Sequence, residues 1–342
     1  MASECVSVNV GPRIEDKVIC ELSNSDHWHH PKDLQPRQGW TYRGAENLCC
    51  SNPCLNNAKF LLGYTDKRYL CVCASGYTGE HCETAMSGYF DWKPVESCLD
   101  IKTIEGEQAI SGAYWLNQTG VIFQAYCQME SLGKVWTHLA RFSMADAINW
   151  MKDSGEWWYD KIISTGETTD PSSNTDMISP GFWLVSGNEF KITRNDDRQH
   201  TALLQTTGDC LGGQTFRRKI TSYGDFRNGT TWRFNFRCLG NCTVHYGGQY
   251  ETTQGFGNAK CNGTILSGDK IGFWCDRGRW DGAVMMIGGS GSGDCGHTYH
   301  GLGITGAKIP SFSNGARREQ DFGNSPYSKH YTGNYSLNLW IR

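Results

Sequence analysis

Apolar and polar positions alternate in several short stretches of the chain. Over residues 113–127 large and small side chains alternate, from Tyr114, Trp115 and Leu116 to Phe123, Ala125 and Tyr126, which predicts a β-hairpin. Val284, Met285, Met286 and Ile287 form a continuous apolar run of the length of a buried strand. The last eight residues, Tyr335 to Arg342, alternate as an antiparallel strand does. Asp146 to Lys152 fits one short helix. Residues 1–48 show no regular periodicity, and no stretch of the chain nears the ~18 apolar residues of a membrane span.

The composition agrees with strands and loops. Glycine is abundant, at 41 of 342 residues, beside 13 Trp, 15 Tyr and 14 Phe, a mixture that suits tight turns anchored by large side chains and not a helical bundle. Net charge is -3, so there is no basic footprint for nucleic acid. The 16 cysteines change the picture most, because cytosolic proteins rarely carry so many. Zinc knuckles would bring paired C-x2-C spacings. The close pairs here are instead Cys49-Cys50, Cys71-x-Cys73 and Cys238-x3-Cys242, which favour disulfides. Five sequons, at Asn117, Asn228, Asn241, Asn262 and Asn334, fit a secretory route and N-glycosylation on the surface. Met1 to Cys5 has neither a charged nor an apolar leader region, so the export signal is expected outside this sequence.

The chain reads as three segments. Residues 1–48 hold Cys5, Cys20 and the run His27-Trp28-His29-His30. A metal site is one reading of that run and a solvated loop another; neighbours on an extended chain point in opposite directions, which favours the loop. Residues 49–83 end in Tyr69-Leu70-Cys71-Val72-Cys73 and Gly76-Tyr77-Thr78-Gly79-Glu80-His81-Cys82. This C-x-C-x8-C ending resembles the second half of an EGF-like domain, in which cross-links stand in for a core too small to hold alone. The resemblance implies bridges Cys54–Cys71 and Cys73–Cys82, with Tyr77 covering a disulfide. It also places a cysteine near residue 60, where this chain has Phe60, so Cys5, Cys20, Cys49 and Cys50 are left to pair in an order that parity does not decide. Glu46 and Asn47 are not a convincing calcium signature, and no calcium is expected at this module.

Residues 84–342 open with Cys98, continue with Ser111-Gly112-Ala113-Tyr114 and Tyr126-Cys127-Gln128-Met129, and then reach Gly133-Lys134-Val135-Trp136-Thr137. These motifs resemble the start of a fibrinogen C-terminal domain, with Cys98 and Cys127 able to pair. Farther on, Phe273-Trp274-Cys275-Asp276, Asp294-Cys295-Gly296-His297 and the terminal Leu337-Asn338-Leu339-Trp340 look more like the intelectin branch. The fold expected is therefore mixed α+β, mostly strand and loop and disulfide-rich, with a small EGF-like module at 49–83 before a fibrinogen-like domain at 84–342.

For chemistry, the chain lacks G-x-S-x-G, H-E-x-x-H, the P-loop and a dinucleotide fingerprint, so catalysis is not expected. Asp196-Asp197 is an adjacent carboxylate pair without general acid–base geometry of its own. Asn195-Asp196-Asp197 is oxygen-rich enough for Ca2+, but its place in mid-domain favours a plain turn. The intelectin resemblance implies a calcium and glycan site around Asp294, His297 and His300, with Tyr327 and Tyr331 lining it. Gly306-Ala307 stand where that family has an acidic residue, and a glycine-rich structural loop pinned by Cys295 is the competing reading. His245-Tyr246 and Trp157-Trp158-Tyr159 read as anchors. The partners expected are extracellular glycans or matrix proteins, not nucleic acid. An EGF-like module joined to a fibrinogen-like domain resembles secreted cnidarian proteins, including those of coral skeletal organic matrix. The resemblance implies a secreted, non-catalytic matrix or adhesion glycoprotein, with a calcium-dependent lectin as the alternative.

Overall fold

The computed structural model describes residues 7–14, 17–23, 30–44, 53–62, 69–143, 162–223, 237–247, 270–276, 282–286, 301–305, 320–323 and 335–342. It is mostly strand and loop with a few short helices. Two compact units are present, Met1–Met86 and Ser87–Arg342. The expected helix over Asp146–Lys152 and the Trp157–Tyr159 cluster lie outside the described residues.

In the first unit, strands β1 (Ser7–Ile14), β2 (Lys17–Ser23) and β3 (Thr41–Gly44) form an antiparallel sheet ordered β2-β1-β3. The sequence pattern of 1–48, which shows no regular periodicity, did not announce this sheet. Val8 and Val10 do alternate, but Gly11 and Pro12 cut the pattern short, and the β1–β2 register shifts between Val10 and Arg13. A side chain at Gly11 would come within 2.9 Å of the Trp40 ring. Trp40 in turn carries the Arg37 guanidinium at 4.0 Å, and Arg37 pairs with Glu21 at 3.0 Å. His30 is exposed and leads into a single 3-10 turn, Pro31–Asp33; His27 and His29 lie outside the described residues.

Farther along the same unit, β4 (Lys59–Leu62) and β5 (Tyr69–Val72) pair as a hairpin, and β6 (Tyr77–Thr78) pairs with β7 (Thr84–Ala85). Cys54–Cys71 and Cys73–Cys82 are joined. Cys54, Cys71 and Cys82 are buried, with Phe60, Tyr69 and Tyr77 packed on them. Phe60 lies opposite Cys71 in the register and stacks on Tyr69 at 5.8 Å, so an aromatic contact stands where the EGF pattern has a cysteine. Tyr69 Oη and His81 Nε2 are 2.6 Å apart, which extends that stack to the last loop. The Leu55 N–H donates to His81 O at 2.7 Å and Asn56 Nδ2 to Cys82 O at 2.8 Å, tying the two bridges together.

The second unit opens with helix α1 (Cys98–Glu105), whose start is fixed by a reciprocal cap: Asp100 N donates to Ser97 Oγ at 3.3 Å and Ser97 N to Asp100 Oδ2 at 2.8 Å. Strands β8 (Gly112–Gln118) and β9 (Val121–Met129) form the hairpin that the alternation predicts. Its two turn residues, Thr119 and Gly120, are both left-handed, at φ 53° and 88°, the geometry that matches strand twist. Cys127 is bonded to Cys98 and ties the hairpin to α1.

A twelve-stranded sheet runs through this unit. Its order is β20 (Gln320–Gly323), β19 (Gly301–Thr305), β18 (Gly282–Met286), β17 (Lys270–Asp276), β16 (Arg237–Tyr246), β14 (Leu204–Thr206), β13 (Phe190–Arg194), β21 (Ser336–Ile341), β10 (Val135–Ser143), β9 and β8, with β11 (Met177–Ile178) paired on β10. Val284 and Met285 of the expected apolar strand are buried in β18; Ile287 lies outside the described residues. Short pieces cap one face: helix α2 (Gly181–Leu184), β12 (Ser186–Gly187) paired with β15 (Gln214–Thr215), and helix α3 (Phe216–Thr221). Phe182, Phe190, Phe216 and Phe273 interlock there at centroid distances of 5.4–6.4 Å, beside the Cys210–Cys242 bridge. Among the described residues, no helix is long and apolar enough to cross a membrane.

Strand β21 departs from the sequence reading in one respect. Its alternation is real, yet all of Ser336 to Ile341 is buried. A strand between two others with both faces covered normally reads as a continuous apolar run. Here the Leu337 and Leu339 face joins the core, while Ser336 and Asn338 meet a second, polar cover, and Trp340 on the same face bonds Thr193 of β13.

Candidate functional site

That cover is the loop of residues 165–178. Its neck is closed by reciprocal backbone bonds between Thr165 and Ile178, both 2.9 Å, and its centre is filled by Arg141 of β10. Arg141 is fully buried and donates from Nε to Thr175 O at 2.5 Å, from Nη1 to Asp170 O at 2.8 Å and from Nη2 to Glu167 O at 3.2 Å. A planar guanidinium supplies diverging donors that an ammonium cannot, which is why one side chain can organise a whole loop. Burial pulls the Arg141 pKa down to about 10, opposed by the Asp170, Asp176 and Glu167 carboxylates, so it remains a cation at neutral pH. The loop is also pinned from β21 and β10. Asn338 Nδ2 donates to Pro171 O at 2.9 Å, Ser336 Oγ bonds Asn174 Oδ1, and Ser143 N donates to Asp176 Oδ1 at 2.6 Å.

Next to Arg141 on the same strand stands His138, opposite Trp340 in the register and stacked on its indole at 4.5 Å. His200, on the turn before β14, lies 5.3 Å from Trp340 and 6.3 Å from Tyr126. Burial pushes both imidazoles below their ordinary value, His138 strongly. The charges of Arg141 and His200 add to the effect on His138, while Asn338 and the Ala140 backbone oppose it weakly. On the far side of Trp340, Lys191 Nζ bonds Gln128 Oε1 at 2.7 Å and Glu130 Oε1 at 2.5 Å and sits 4.9 Å over Trp136. Burial lowers the Lys191 pKa to about 8, against the hydrogen bond and charge of Glu130. Sequence reasoning passed over Arg141, His138, Lys191 and His200. The readable signal was Ser336 and Asn338 alternating with leucines in the terminal strand.

The other candidates fall as follows. Asn195 is buried, with Nδ2 on Ser172 O and Oδ1 accepting from Ser336 N. Asp196 is paired with Arg194, and Asp197 accepts from Gln199 N at 3.0 Å and Thr201 N at 2.8 Å. These oxygens hold a turn. Among the described residues no group of three or more His, Cys, Asp and Glu could hold a metal. Asp294, His297, His300, Tyr327 and Tyr331 lie outside the described residues, as do Asn228, Asn262 and Asn334. Asn241 lies within β16 beside the bonded Cys242. Asn117 is partly exposed at the end of β8, where its Oδ1 accepts from Gly120 N at 3.0 Å. His245 is exposed on β16, and its neighbour Tyr246 packs against the core.

No protein-family model matches the chain. Among curated proteins it is similar to Fibropellin-3 of Strongylocentrotus purpuratus, an EGF-containing protein, with 43% identity over 51 residues. Those residues are 14% of this chain and 9% of the relative, so the chain spans under a tenth of the length of that protein. The short likeness and the bonded cysteines are consistent with an extracellular protein.

Proposed function

We propose that this is a secreted, non-catalytic matrix or adhesion glycoprotein whose second unit is fibrinogen-like, and that it serves as a structural component of an extracellular, skeletal-type organic matrix. The observation that carries the reading is covalent: Cys54–Cys71 and Cys73–Cys82 cross-link a segment too small to bury a core. Such bonds persist only in an oxidising compartment. The limited likeness to an EGF-containing sea-urchin protein supports the same location. Asn117, on a hairpin tip with Thr119 exposed beside it, is suited to glycosylation.

The test is expression of the full chain behind a secretion leader in an animal cell line. The protein is expected in the medium, losing mass on treatment with a glycosidase specific for N-linked chains. It is also expected to be retained on an insoluble extracellular matrix preparation whether or not EDTA is present, with no signal on a glycan array. Retention inside the cell as free thiols would overturn the extracellular reading. Array binding abolished by EDTA would replace the structural role with that of a calcium-dependent lectin.

A further inference from the structure

The polar face under the 165–178 loop contains two imidazoles that the loop's architecture does not use. His138 has no solvent exposure, and its ring nitrogens have only the Asn338 side chain and the Ala140 backbone near them, neither in good hydrogen-bonding geometry. His200 is 6% exposed, and its Nδ1 has no hydrogen-bond partner among the described residues. Both rings lean on Trp340, at 4.5 and 5.3 Å, and Trp340 is fixed by Nε1 donating to Thr193 Oγ1 at 2.8 Å. A bulge at this point, between His138 and Ala140 in the β10–β21 ladder, weakens the pairing locally.

We propose that His138 and His200 form an acid-sensitive latch on Trp340, so that mild acid opens the 165–178 loop and uncovers the polar face of β21. The charges around the pair favour this direction. His138 is faced by the Arg141 cation on its own strand and by His200, both of which disfavour its protonation. His200 is faced by the Lys191 cation of β13, with the Arg194 backbone, Asp197 on its own turn and Asp170 on the loop pulling the other way. Tyr126 of β9 and Asn338 of β21 complete the surroundings and carry no charge. A proton on His138 would therefore create a second buried cation beside Arg141, which already draws on the Asp170, Asp176 and Glu167 carboxylates, and closed packing disfavours it. In the open state water reaches the ring and it takes the proton normally.

The sign follows from linkage. The open state binds more protons than the closed one, so closure weakens as pH falls below the ordinary imidazole value of ~6.5. At pH 5, His138 alone shifts the balance toward opening by about thirtyfold, and His200 adds up to as much again. Asp170 and Glu167 are held below their ordinary values, mainly by bonds from Ser172 and Thr169, so they act at lower pH.

The test uses the full chain with disulfides intact and reads the folding equilibrium constant of the second unit from urea titrations at pH 7.5, 6.5, 5.5 and 5. The wild type is expected to lose at least about thirtyfold between pH 7.5 and 5, about sixteenfold of it between pH 6.5 and 5. His138→Phe, which keeps the stack but cannot be protonated, is expected to lose most of that dependence. His200→Asn, tolerated at the left-handed φ of 49°, is expected to lose a smaller part. An unchanged pH dependence in both variants would overturn the latch. Should His138→Phe fail to fold, NMR titration of the His138 ring in the native protein decides. No titration down to pH 5 supports the latch, and a midpoint at or above 6.5 overturns it.

Discussion

Replacing Arg141 by Met removes the loop's organising cation while keeping most of its volume. The side chain has no solvent exposure and makes three bonds to loop carbonyls, at 2.5, 2.8 and 3.2 Å. Each carbonyl left without a donor costs about 1–3 kcal/mol if it stays buried. Removing the buried cation also returns its desolvation cost, and the loop can open to rehydrate its carbonyls, which limits the total. The net loss expected is about 3–5 kcal/mol, the range for breaking a buried charged contact by deleting one partner. Arg141→Lys should fall between, because one ammonium cannot reach three diverging carbonyls. Urea unfolding with disulfides intact measures the loss, and limited proteolysis reports whether cleavage concentrates within 165–178. A Met variant within about 1 kcal/mol of wild type, with the loop still protected, would refute the assignment of Arg141 as the loop's anchor.

Two further outcomes follow from local geometry. Replacing Cys98 and Cys127 together by Ala frees a loop with a sequence separation of 29, and should cost about 3.5 kcal/mol by chain entropy, read as a lower urea midpoint. Gly166→Ala places a methyl 2.2 Å from Asp176 O at a residue with φ 77°, so the loop neck should loosen at a cost of about 2 kcal/mol or more, visible as faster amide exchange at Thr165 and Ile178.

What could be read from the sequence was whatever a short window or a covalent bond fixes. The β8–β9 hairpin, the terminal strand and the mostly-β, disulfide-rich class all rest on alternation over a few residues or on cysteine usage. The three-stranded sheet at the N-terminus was not legible, because Gly11 and Pro12 break the period within β1. Nor was the buried polar face. Arg141 and Asp170 are 29 residues apart and meet through the pairing of β11 on β10, while Asn338 and Pro171 are 167 apart and meet only because β21 returns between β10 and β13. A lone arginine in a strand reads as an exposed position until its carbonyl partners are known.

Sulfur cross-links hold the small, loop-rich elements together and point to an oxidising environment. Peptide mapping of the secreted, unreduced protein by mass spectrometry tests this most directly. Linked peptides joining Cys54 to Cys71, Cys73 to Cys82, Cys98 to Cys127 and Cys210 to Cys242 are the expected result. Free thiols at these positions, or bridges running between the two units, would contradict it.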